Sequence, residues 1–145
     1  MSDRYTRKDA YKAFTRLAAA LGKTWSDDYG NLFKGDYYEP DLLEEKLWTR
    51  TGNENRAYVG AWTLDHNSVY GGFVIEEIHN DGGGVSQPFG SMRRNAREFC
   101  DAVYFAENAL RAVSKDQHMQ AALKPVFVHV HTKWFGGTHE RPPRR

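Results

Sequence analysis

The feature that most restricts this chain is a single apolar stripe. Met92, Ala96, Phe99, Val103, Ala106, Leu110 and Val113 recur at alternating steps of four and three, with Cys100 and Tyr104 beside them. That spacing keeps the whole set on one side of an α-helix about six turns long. A long helix with one apolar side must lie on another layer, and the segments before it supply strands. Ser91 is placed to act as its N-cap.

In "RAYVGAWTL" the period changes to two. Tyr58, Gly60, Trp62 and Leu64 share one face of a predicted strand, and Ala57, Val59 and Ala61 the other. "DHNS" is a turn, and "VYGGFVIEEIH" predicts a second strand. Gly71 and Gly72 mark a bulge or a close backbone approach. "NDGGG", residues 80–84, reads as a reversal because Asn, Asp and Gly tolerate positive φ. "VSQP" gives a short third strand that Pro88 stops.

Upstream, Thr6 and Asp9 form a capping pair before Ala10, Phe14, Leu17, Ala18 and Leu21, so residues 6–21 are predicted to be helical, closed by Gly22. "TWSDDYGNLFKGDYYEP" has no steady period and reads as a loop with short strand character, held down by Trp25, Tyr29, Phe33 and Tyr37. Pro40 suits the first turn of a second, short helix, "PDLLEEKLWTR". Leu43 and Leu47 face inward there with Trp48 beside them, and Gly52 ends it. Near the C-terminus "VFVHVH" predicts a last strand with Val126, Val128 and Val130 inward.

These elements predict an α+β fold: an antiparallel sheet of three to four strands with helices on one face, in the order α-α-β-β-β-α-β. Residues 1–131 are expected to form a single domain, and 132–145 a basic, flexible tail. A chain of 145 residues is long enough for one core. The single cysteine, Cys100, excludes an internal disulfide and Cys-rich zinc sites. No apolar signal segment follows the charged start, and no run approaches the ~20 apolar residues of a membrane span. A cytoplasmic location is expected, without membrane association.

Net charge is +1, so the whole molecule is no strong attractant for polyanions. The charge is segregated, however. Arg4, Arg7, Lys8, Lys12, Arg16 and Lys23 crowd the first helix, Asp27 to Glu45 is acidic, and the tail is basic. Aromatic residues make up 14%, enough to supply stacking surfaces as well as core.

Arg93, Arg94 and Arg97 fall at the start of the long helix, where the helix dipole disfavours cations. Arg94 with Glu98 and Arg97 with Asp101 make pairs four apart, which leaves Arg93 unexplained. A bound phosphate would account for all three, because exposed N–H groups, the dipole and arginine side chains all favour an anion there. The candidate nucleic-acid-binding residues are therefore Arg93, Arg94 and Arg97, with Trp62, Tyr70 and Trp134 as exposed stacking aromatics and Arg141, Arg144 and Arg145 in the tail.

Other clusters have plainer explanations. His129 and His131 share a strand face, with His139 and Glu140 nearby, but nothing fixes a third metal ligand. "DGGG" lacks the rest of a phosphate loop. Cys100 beside the stripe reads as packing. Glu76 and Glu77 are adjacent on a strand and point to opposite faces. Asp65 and His66 could form a dyad, but no nucleophile motif accompanies them. No enzyme signature and no cofactor motif emerges.

"GSMRRNAR" resembles the opening of the last helix of a double-stranded-RNA-binding domain, and "DHNSVY" is similar to that family's loop between its first two strands. Over residues 40–113 the resemblance implies three strands followed by an RNA-contacting helix, with Arg93, Arg94 and Arg97 in the basic positions. This chain lacks the Gly-Pro before Asp65 and carries Gly71 and Gly72 in addition. "LDHNSVYGGFVIEEIHNDGGGVSQPFGSMRRNAREF", within about residues 58–105, is also similar to small uncharacterised accessory proteins of tailed bacteriophages, which implies a viral source acting in the host cytoplasm but no activity. The expected function is that of a non-enzymatic accessory protein binding single-stranded or structured nucleic acid. The alternative is a protein-binding effector that inhibits or redirects a host enzyme through the acidic stretch from Asp27 to Glu45 and an aromatic patch, and homo-oligomerisation stays open.

Overall fold

The computed structural model describes residues 4–67, 69 and 71–116 of the chain. The predicted strand at 126–131, the tail, Tyr70, Trp134, Arg141, Arg144, Arg145, His129 and His131 lie outside those residues.

The first helix, α1 (Arg7–Ala20), opens on the expected capping box: the Asp9 amide donates to the Thr6 hydroxyl and the Thr6 amide to the Asp9 carboxylate. These bonds hold the Asp9 carboxyl below its ordinary pKa. The strands that follow are β1 (Trp25–Ser26), β2 (Asn31–Lys34), β3 (Asp41–Lys46), β4 (Trp48–Thr51), β5 (Glu54–Ala57), β6 (Trp62–His66), β7 (Phe73–Ile78) and β8 (Val85–Ser86), and α2 (Ala96–Lys115) comes last. The fold is α+β, but the sheet is larger than predicted and mixed. Six strands stand in the order β3-β2-β1-β6-β7-β8, and β4 and β5 form a separate ribbon. Every pairing is antiparallel except β1 with β6, where Trp25 lies opposite Trp62.

The short helix predicted from Pro40 onward is instead β3 and β4. Leu43 lies on β3, and Leu47 sits at the bend between β3 and β4, where its amide donates to the Gly30 carbonyl. Both pack against a small second core of Leu32, Ala57, Ala61 and Ile78. The strand predicted across 56–64 is broken by Gly60 at φ +93°; its first part pairs with β4 and its second becomes β6. Trp25 is buried as expected, stacked on Phe33 at 4.8 Å, but Tyr29 is 88% exposed and holds nothing down. The reversal at 80–84 forms as predicted, with the Gly83 amide on the Asn80 carbonyl and the Gly84 amide on the Asn80 side chain.

The main core lies between the sheet and the two helices. Phe14, Leu17, Trp25, Trp62, Phe73, Ile75, Phe99 and Val103 form it, with Ala96, Cys100, Ala106 and Leu110 packed alongside. Burial of this apolar area is the main force that holds α2 on the sheet. Arg16 ties α1 to α2 through two bonds to Glu107, at 3.0 and 3.1 Å. No helix among the described residues is long and apolar enough to cross a membrane.

Candidate functional site

The arginines are arranged differently from the helical reading. The N-cap of α2 is Asn95, not Ser91, in a capping box with Glu98, so Arg93 and Arg94 precede the helix. The reason is a backbone bridge. Arg94 exchanges two hydrogen bonds with Phe73, at 2.7 and 3.1 Å, which holds the chain extended until residue 95. Met92 therefore drops out of the stripe and is 62% exposed.

An extended segment sends successive side chains to opposite faces. Arg93 meets Asp65 at 2.5 Å on the face away from the helices. The arginine left unexplained by sequence thus has a carboxylate partner from β6. Arg94 shares a face with Phe73, toward the helices. Its expected partner Glu98 is engaged in the capping box. Arg97 does approach Asp101, at 3.9 Å, with both side chains well exposed. The dipole consideration therefore applies to Arg97 alone.

Trp62 offers no stacking surface. It is fully buried, its indole N–H donates to the Glu77 carboxylate at 3.0 Å, and the Phe89 ring stands edge-on to it at 5.6 Å. Asp65 and His66 do not form a dyad: Asp65 pairs with Arg93, while His66 stacks on Phe73 with ring centroids 4.5 Å apart. Glu76 and Glu77 occupy opposite faces, and burial raises both carboxyl pKa values. Burial also pushes the Cys100 thiol up, as suits a packing residue. Among the described residues no cluster of His, Cys, Asp and Glu is arranged to hold a metal ion.

A cationic, aromatic surface is present elsewhere, on α1 and the loop after β2. Lys12 Nζ lies 5.2 Å from the centre of the Tyr37 ring and 5.4 Å from that of Tyr38, and Lys8 Nζ reaches within 6.0 Å of Tyr37. Tyr37 stands edge-on to Tyr11 and to Tyr38. Beside it a cleft of about 400 Å³ is lined by Arg7, Lys8, Tyr37, Leu64, His66 and Phe73, among others. Arg7 is only loosely held, 3.6 Å from an exposed Asp28. The basic character of the first helix was legible in sequence. Its grouping with aromatic partners was not, because Tyr37 and Tyr38 on the loop after β2 and His66 on β6 reach α1 only through tertiary packing.

The acidic segment is largely occupied in building the fold. Asp27 accepts from the Tyr29 and Asn31 amides, Asp36 from those of Tyr38 and Glu39, and Asp41, Glu44 and Glu45 line β3. Charges on an edge strand discourage edge-to-edge aggregation. No known protein family, curated protein or solved structure matches the chain. Fold and site define a small α+β protein with a cationic, aromatic-walled cleft.

Proposed function

We propose that this is a non-enzymatic nucleic-acid-binding protein of the phage-accessory type, and that its contact surface is the α1 cleft. The carrying observation is Lys12 seated between Tyr37 and Tyr38 beside a cleft lined by Arg7, Lys8 and His66. Cations that follow a backbone and rings that accept bases are the two parts a single-stranded ligand needs. Arg97, exposed on α2, could add a phosphate contact; Arg93 is occupied by Asp65.

Fluorescence anisotropy with a labelled single-stranded oligonucleotide tests this reading. Affinity should fall steeply with salt, and the double variant Lys8→Ala, Lys12→Ala should bind about tenfold or more weakly with a shallower salt slope. Tyr37→Ala should weaken binding at every salt concentration by the loss of about one stacked base. Absence of binding by the native protein, or a salt slope untouched by the double variant, would reject it. The second reading, an effector for a host protein, draws on Tyr104 and Phe105, which α2 leaves exposed. That interface would bind a protein with little salt dependence.

A further inference from the structure

On the helix side of the sheet, between α2 and the segment joining β8 to Asn95, runs a groove of about 250 Å³. Phe99, Val103, Ala106, Phe89 and Met92 line much of it, and among the described lining residues Arg94 alone is charged. The Phe73–Arg94 bridge sends the Arg94 side chain to this face while Arg93 goes to the other. Arg94 is half-buried, and among the described residues no carboxylate pairs with it. An apolar occupant alone would desolvate that guanidinium further and leave it unpaired. An anionic occupant without an apolar body would leave the lining wet.

We infer that the groove binds an aliphatic carboxylate, its chain against Phe99, Val103 and Met92 and its head group paired with Arg94. Guanidinium matches carboxylate in a two-pronged geometry, which favours this head group. The volume lies below the ~300–1,000 Å³ of sites for drug-sized ligands, so a slim chain fits better than a fused ring system. Met92, unbranched and exposed, can settle along chains of different length. This groove shares only Phe73 with the described lining of the α1 cleft, and the inference does not depend on the nucleic-acid reading.

Calorimetric titration of the full chain with sodium octanoate and with 1-octanol tests it. Octanoate should bind saturably at one site, and octanol at least about tenfold more weakly, since it lacks the charge-assisted bond. Arg94→Ala should reduce octanoate affinity to the octanol level, and Arg94→Lys should restore part of it. Ala102→Trp, which fills the groove from a half-buried helix position, should abolish both. If that variant misfolds, amide shifts at Phe99 and Val103 in the native protein provide the readout. No octanoate binding, equal affinity for the two probes, or shifts confined to other surfaces would overturn the proposal.

Discussion

A carboxylate buried against the indole of Trp62 cannot ionise as readily as one in water. Burial raises the pKa of Glu77, and the Trp62 N–H and the charge of Lys23 pull back only in part. The folded state then holds its proton to higher pH than the unfolded chain. Stability from this group is therefore full at low pH and is lost as pH rises from the ordinary carboxylate value through the raised one. Glu77→Gln keeps the acceptor for Trp62 and cannot ionise. Urea midpoints should show the two proteins alike at pH 4 and the variant increasingly the more stable toward pH 8; parallel curves would disprove the assignment. Glu76 is shifted the same way by burial and the charge of Asp65, and it remains in both proteins, so the difference isolates Glu77.

The bridge between residue 94 and β7 depends on a glycine. A Cβ on Gly72, at φ +83°, would stand 2.9 Å from the Arg94 carbonyl oxygen and 3.0 Å from Arg93 Cβ. Gly71 also has positive φ but open space around it. Gly71→Ala should cost about 1–2 kcal/mol of backbone strain. Gly72→Ala should cost more, about 2–3 kcal/mol, and displace Arg93 from Asp65, as denaturant midpoints of the two variants would show. Of the bulge or close approach that the sequence marks at this pair, the close approach is real at Gly72, where a Cβ would meet Arg94, whereas Gly71 answers only to its positive φ. The sequence was equally sound for α1 and the 80–84 reversal, and for the inner side of α2, where Phe99 and Val103 are buried and Ala96, Ala106 and Leu110 pack half-buried against the core. It failed for β3 and β4, where Pro40 and the Leu43–Leu47 spacing suited a helix, and for the start of α2, where the Asn95–Glu98 capping box, as local a signal as Ser91, sets the N-cap and residue 94 pairs with Phe73. Of the candidate site, Arg93 and Trp62 have partners in Asp65 and Glu77, which only tertiary structure brings near, while Tyr70, Trp134 and the tail arginines lie outside the described residues.

At the scale of the molecule, the two helices among the described residues share one side of a mixed sheet, and the Arg16–Glu107 ion pair joins them directly. Arg16→Ala should destabilise the protein by about 1 kcal/mol, the low end for a charge-assisted pair because Arg16 keeps 41% of its side chain in solvent. Thermal unfolding would measure it, and Glu107→Gln should act in the same direction. The sheet itself has one discontinuity, the parallel contact of β1 with β6 at Trp25 and Trp62. Hairpin growth can extend β1 through β3 as one ribbon and β6 through β8 as another, but a parallel neighbour cannot be added by zipping onward from a turn. The two ribbons meet through residues 37 positions apart in sequence, so this join carries a larger loop-closure cost than either hairpin, and it is the core around Trp25 and Trp62 that offsets it.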